Sequence, residues 1–497
     1  MRDYVMLWNA VALEMNRRDH TGRMNAKNNR GPTASSRALA IIHLAMHDAF
    51  FGLTGRPPIS SALVGLSGAI NAYSNVAPHA PQPWSADNEG AAVSGAAAAT
   101  LTALYPDFRT LVDDMLRGFQ FGAGNPAFDF GFKVGLSIIE ARKNDGSADS
   151  GGVDPIDAYW RHREDPTDFT QGLLGPKWGA VKLFSAAAIP PQAAHPVPRA
   201  AAYNRAHDEV RVKGSKTPTS GTPGVTISQR SPFETIVGLY WAYDGASQIG
   251  TPPRLYNQIV RDIIARNITG SDRAAASARL LALINVAMGD AGIAAWYWKY
   301  RYQFWRPILG IREYDNSFWH NRDIVSYHLH RRCDPWWLPL GAPRTNEPGK
   351  RSFTPPFPAY PSGHATFGAA CFEIARRFFG VAPNAADNIA FNLVSDELDG
   401  RAINEDGAYR ALHRRHYDSL LQAMFDNSVS RVYLGVHWRF DGIDESVANP
   451  SDILADSSNV GGVPVGRAIA KNIFENGMTK SAAAPGVVTP INLPAVP

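Results

Sequence analysis

The sequence predicts an all-α protein, two packed helical bundles in one chain, and three observations carry that reading. Apolar residues recur at the helical period through a series of long segments, whereas alternating runs of Val, Ile and Thr are scarce and short. Between those segments lie Pro- and Gly-rich connections that offer no packing face. With 45% hydrophobic and 19% charged residues over 497 positions, the composition is that of a globular chain with material for one large core or two packed subdomains.

In an N-terminal half, expected as residues 1–190, the helical period runs through 36–53, 90–118 and 131–144, and a Pro/Gly-rich stretch at 145–180 follows. The longest connection, 189–232 with "PPQAAHPVPR" and "KGSKTPTSGTPG", is the best boundary. We therefore place a linker at 191–231 and a C-terminal half at 232–476. That half begins with 232–248, 255–267 and 272–300. In the last of these Leu280, Leu283, Ile284, Ala287, Met288, Ala291 and Ala295 make one apolar stripe. After a loop at 341–358, Phe367, Cys371, Ile374 and Phe378 recur at i, i+4, i+7 and i+11, which predicts a helix over 364–379. Pro361 and Ser362 mark its start and Gly380 its C-terminal cap. Segments 386–398 and 414–434 complete the set, and the Pro-broken tail at 477–497 reads as an extended arm or frayed end.

Several function classes lose support at once. A net charge of +4 with Lys and Arg spread along the chain argues against a nucleic-acid partner. The most apolar stretches, "ALAIIHLAMHDAFFGL" and "LLALINVAMGDAGIAAWYW", are interrupted by His, Asp or Asn, so no membrane span is expected. The start, "MRDYVMLWNAVALEMNRRDH", has charges on both sides of a short apolar run and does not read as a signal peptide, so export is unsupported. Two cysteines, Cys333 and Cys371, exclude a disulfide framework and a Cys-based metal cluster.

Three segments concentrate the chemistry. Lys299 falls on the apolar stripe four residues after Ala295, and Arg306 follows seven residues later, facing the same side if the helix continues to Pro307. Taken alone, both would more readily snorkel to solvent among the surrounding aromatics. In "PAYPSGHATF", a helix starting near Ser362 leaves the first amides, around Ser362, Gly363 and His364, without intrahelical partners at the positive end of the dipole, where oxyanions bind. In "SVSRVYLGVHWRFDG", Arg431 and His437 are six residues apart, so the helix should end or bend near Gly435 to bring both to one point. His437 and Asp441 are four apart, a spacing at which the carboxylate can accept from Nδ1–H and leave Nε2 free.

Together, Lys299-x6-Arg306-Pro307, Pro361-Ser-Gly-His364 and Ser430-Arg431-x3-Gly435-x-His437-x3-Asp441 resemble the signature of the vanadium-dependent haloperoxidases and the acid phosphatases related to them. Similarity to the chloroperoxidase branch extends through "FWRP", "DNIAFNLVSDELDG", "LGVHWRFD" and "GGVPVGRAIAKNIF". The resemblance implies a vanadate site in the C-terminal bundle, held by Lys299, Arg306, Ser362, Gly363 and Arg431, with His437 the one protein ligand to vanadium. It implies His364 as the acid–base group toward hydrogen peroxide, and Lys299 as a hydrogen-bond donor that makes the peroxide electrophilic toward halide. It further implies Trp296 and Phe357 beside the halide, and Asp244 as the acid paired with Arg431.

The expected partners are hydrogen peroxide, a halide and an organic acceptor, in a monomer or homodimer. No haem motif is present. An acid phosphatase would use the same pocket, with His437 as a nucleophile oriented by Asp441. A scaffold with a dead pocket would be expected to have lost one of the charged groups, and none is missing. His43, His47 and Asp48 lack a third metal ligand in reach and read as inter-helix hydrogen-bonding residues, and His413 and His416 as a solvated face.

Overall fold

The computed structural model describes residues 3–21, 28–54, 74–76, 86–149, 151–152, 158–216, 227–270, 273–314, 331–483 and 487–491. Parts of the linker and tail therefore lie outside the described residues. Within them the fold is helical, with one two-stranded sheet.

The first half holds α1 (Tyr4–Asp19), α2 (Gly31–Thr54), α3 (Ala86–Leu104), α4 (Arg109–Phe119) and α5 (Pro126–Ala141). The helix expected over 90–118 is two helices. Pro106 cannot extend α3, and a short 3-10 turn at Pro106–Phe108 redirects the chain. α3 and α5 pack backbone to backbone, since a Cβ at Gly131 would stand 1.8 Å from the Ala92 carbonyl oxygen.

Next come α6 (Ala201–Lys213), α7 (Pro232–Tyr240), α8 (Pro252–Asn267), α9 (Arg273–Tyr302) and α10 (Pro307–Arg312). α6 lies inside the stretch read from sequence as linker. Tyr203, Ala206, His207 and Val210 are buried at i, i+3, i+4 and i+7, a helical stripe obscured by the Pro and Gly on either side. α9 packs on α2 along one side and on α11 (Gly363–Phe378) along the other, so a continuous apolar core runs from the first half into the second. By length and composition α9 could cross a membrane, yet 94% of its apolar window is buried inside the fold.

The remainder is α12 (Leu420–Tyr433), α13 (Arg439–Gly442) and α14 (Gly462–Glu475), which packs on α11. The helix expected over 386–398 does not form. β1 (Phe391–Val394) instead pairs antiparallel with β2 (Arg414–Tyr417), and Phe391 stacks on Tyr417 at 4.9 Å. Phe391 and Val394, one aromatic and one β-branched, suit a strand better than a helix. For the same reason α12 begins at Leu420, capped by Ser419, rather than at 414. The tail is pinned where described: Ser481 N–H donates to the Phe184 carbonyl (2.9 Å) and Ile491 N–H to that of Arg301 (2.8 Å).

Candidate active site

Chain segments from four places meet at the C-terminal end of α9. Lys299, in the last turn, is fully buried and donates to the carbonyls of Pro358 (2.7 Å) and Ala359 (3.0 Å). The helix does not continue to Arg306. α9 ends at Tyr302, Gln303 takes a left-handed backbone at φ 48°, and Pro307 holds Arg306 extended. The two cations converge all the same, because Arg306 Nε donates to the Phe357 carbonyl (2.9 Å), next in line to those that receive Lys299.

Ser362 is the N-cap of α11 and its side chain accepts from the Ala365 amide. Its own N–H donates to the Asp441 carbonyl (2.7 Å), tying the start of α11 to the His437 segment. Gly363 is the first helical residue; a Cβ there would meet the Trp296 ring at 3.2 Å. The His364 ring lines the cavity and donates through Nε2 to the Ala242 carbonyl (2.6 Å), with Asp244 3.9 Å away.

Arg431 sits near the end of α12 and donates through Nη2 to both oxygens of Asp244 (2.8 and 3.0 Å). The chain then turns at Gly435, whose φ of 72° and the 2.5 Å gap from its would-be Cβ to the Gly214 carbonyl oxygen admit only glycine. His437 is thereby returned to Arg306. Its Nδ1–H donates to Asp441 (2.7 Å), and its Nε2 accepts from Arg306 Nη1 (2.9 Å). Since the carboxylate can only accept and the guanidinium can only donate, those contacts define the tautomer. The same Asp441 oxygen accepts the Trp438 amide (3.0 Å).

Burial dominates the electrostatics. Lys299 is driven well below its ordinary range by desolvation and then by Arg306, and burial brings Arg306 down to about 9. Both histidines are pushed well below 6.5, His364 by burial and then Arg431, His437 by burial and then Arg306. Both rings are therefore neutral at neutral pH. Desolvation raises Asp441 to about 7 against the pull of Lys299 and Arg306. Three guanidinium nitrogens here are buried without any partner: Arg306 Nη2 and Arg431 Nε and Nη1. Such orphans are costly and rare, and donors from two arginines beside a helix N-terminus are what a tetrahedral oxyanion requires.

The site floors a cavity of about 380 Å³ that reaches His364, Arg431 and His437. Phe357 walls it, 5.1 Å from Lys299 Nζ and 4.9 Å from the Arg306 guanidinium carbon, with the Trp296 ring packed 4.8 Å behind. The structure thus brings together Lys299, Arg306, Ser362, Gly363, His364, Arg431, His437, Asp441, Asp244, Trp296 and Phe357. His43 and His47 instead bond within the helical core, His43 to the Leu39 carbonyl and Asn9, His47 to Asp48 and Arg279. No metal-ligating cluster of His, Cys, Asp and Glu occurs among the described residues. Two residues escaped the sequence reading: Tyr256 and Asn427 both donate to the His364 carbonyl (3.0 and 2.8 Å). Asn427 lies one turn before Arg431 on the same helix face, which was the available signal.

The chain matches a family model described as the vanadium chloroperoxidase N-terminal domain over residues 1–171, and one described as the VCPO second helical-bundle domain over 279–448. It is 33% identical to the vanadium chloroperoxidase of Curvularia inaequalis, covering 96% of this chain and 90% of that protein. Its fold is shared with a bacterial vanadium-dependent iodoperoxidase (TM-score 0.62, 20% identity, 96% of this chain and 97% of the other). It is shared too with a bacterial vanadium-dependent chloroperoxidase (TM-score 0.57, 15% identity, 90% and 93%).

Proposed function

The chain belongs to the vanadium haloperoxidase family, in its chloroperoxidase-like branch, and we propose that it oxidises chloride, bromide and iodide with hydrogen peroxide to hypohalous acid, which halogenates an organic acceptor. The observation that carries this reading is the set of orphaned donors, Arg306 Nη2 and Arg431 Nε and Nη1, gathered beside His437. Vanadate fits them. Lys299, Arg306, Arg431, the Ser362 hydroxyl and the Gly363 amide would hold its oxygens, and His437 Nε2 would be its single protein ligand. Bound there, vanadate would supply Lewis-acid activation of hydrogen peroxide toward attack by halide.

The remaining work falls to the chain itself. Asp441 keeps the Nδ1 proton on His437 and so presents Nε2 as the donor lone pair. His364 donates through Nε2 to Ala242, which leaves Nδ1 to take a proton from peroxide, and its depressed pKa keeps the ring a base in mildly acidic solution. Lys299 spends two N–H bonds on backbone carbonyls and would have a third to offer a bound oxyanion. Phe357 and Trp296 give the halide a dry wall beside two cations, which helps strip water from strongly hydrated chloride. Steady-state chlorination of monochlorodimedone at mildly acidic pH tests the assignment. Bromide turnover without chloride turnover in vanadate-loaded protein would leave a bromoperoxidase.

A further inference from the structure

The cavity is larger than peroxide and halide require. About 380 Å³ falls in the range that small organic ligands occupy. Away from the oxyanion floor it is walled by Leu173, Pro355, Pro356 and Phe353 and carries two arginines, Arg30 and Arg344. The Arg344 guanidinium lies 4.3 Å over the Phe353 ring, which seats it on the apolar wall. Its acidic neighbour, Glu347, is 3.8 Å away and pairs more closely with Lys350 at 3.2 Å. Arg30 is exposed and has no ion pair among the described residues. The carboxylate on this side, Asp168, is committed to its own turn, accepting from the Thr170 amide (3.2 Å) and hydroxyl (2.8 Å).

We propose that this outer chamber binds the organic acceptor, and that the acceptor is a planar, electron-rich aromatic carrying a carboxylate. The ring lies against Phe353 and Pro355, the carboxylate meets Arg30 and Arg344, and the reacting edge faces the floor. Resting on the haloperoxidase reading, the step is halogen transfer from hypohalous acid. A carbon–halogen bond forms, the oxygen–halogen bond breaks with its electron pair on oxygen, and the displaced ring proton leaves with that hydroxide as water. Free hypohalous acid would ignore the carboxylate, whereas a bound acceptor is selected by it.

The test compares 4-hydroxybenzoate with its methyl ester, by calorimetric binding to the full chain saturated with orthovanadate. The acid is expected to bind at least about tenfold more tightly than the ester, as charge-assisted bonds to arginine imply. The R30Q/R344Q variant should abolish that preference, binding acid and ester alike. R30Q alone, at an exposed position, should weaken it without risk to folding. Equal binding of acid and ester, no binding of the acid to the vanadate-saturated chain, or an unaltered preference in the variants would overturn the proposal. If no acceptor is halogenated at all, the haloperoxidase reading fails, while the binding comparison still judges the chamber.

Discussion

Replacing Asp441 by Asn isolates the support of His437 from the shape of the site. One carboxylate oxygen accepts from His437 Nδ1 (2.7 Å) and from the Trp438 amide (3.0 Å), while the other has no partner. An Asn amide oxygen can occupy the first position and keep both contacts. What disappears is the charge, which Asp441 carries in full only above its raised value of about 7, so the comparison is made at about pH 8.5. Two charge-assisted bonds become neutral ones, each weaker by roughly 1 kcal/mol, and the amide nitrogen lands where no acceptor waits. Losing about 2 kcal/mol of support for the Nδ1–H tautomer and for the basicity of Nε2 should weaken orthovanadate binding by roughly 10–100-fold, the usual range for partners of a metal-ligating histidine. Calorimetric titration of the metal-stripped protein measures this directly. Unchanged affinity in a folded D441N protein would refute the claim that Asp441 sets the ligating nitrogen.

His437→Ala should abolish orthovanadate binding and turnover together, whereas His364→Ala should bind orthovanadate and lose about 10²–10⁴-fold in halide oxidation, as loss of an acid–base group implies. Equal binding by the parent and H437A would overturn the ligand assignment. Vanadate-free protein should hydrolyse an activated aryl phosphate slowly and be inhibited by orthovanadate, because the donors suit a trigonal-bipyramidal anion whatever its central atom. Absence of hydrolysis despite competitive phosphate binding would count against a reactive His437. His195, packed 3.8 Å from Phe304, is brought by burial down to about 4, so the unfolded chain binds its proton between about 4 and 6.5 and stability falls as pH drops through that window. His195→Phe should therefore lose about 2 kcal/mol less than the parent between pH 7 and 4.5 in urea unfolding, and parallel losses would show that His195 is not the titrating group.

The parts of the site that sequence reveals are those written in local spacing. Pro361 and Ser362 announce the start of α11, Gly435 announces the turn after α12, and the four-residue step from His437 to Asp441 announces their hydrogen bond. What sequence conceals is held by backbone. Lys299 and Arg306 meet because successive carbonyls from Phe357 to Ala359 receive both, not because one helix carries both, and a carbonyl acceptor leaves no residue-type signal. The Ala242 carbonyl under His364 is hidden for the same reason. The strand pair at Phe391–Val394 and Arg414–Tyr417 escaped because short apolar runs fit either period until a partner strand is known. α6 escaped because its stripe is short and framed by Pro and Gly.

If this pocket holds vanadate and vanadate makes the protein a haloperoxidase, activity follows the bound oxyanion. Titrating metal-stripped protein with orthovanadate while following peroxide- and bromide-dependent bromination of thymol tests it most directly. Activity absent at the start, rising in proportion to added orthovanadate and levelling at one equivalent per chain, is the expected result. Bromination that is independent of orthovanadate, or absent at every ratio in a protein that binds it, would contradict the account.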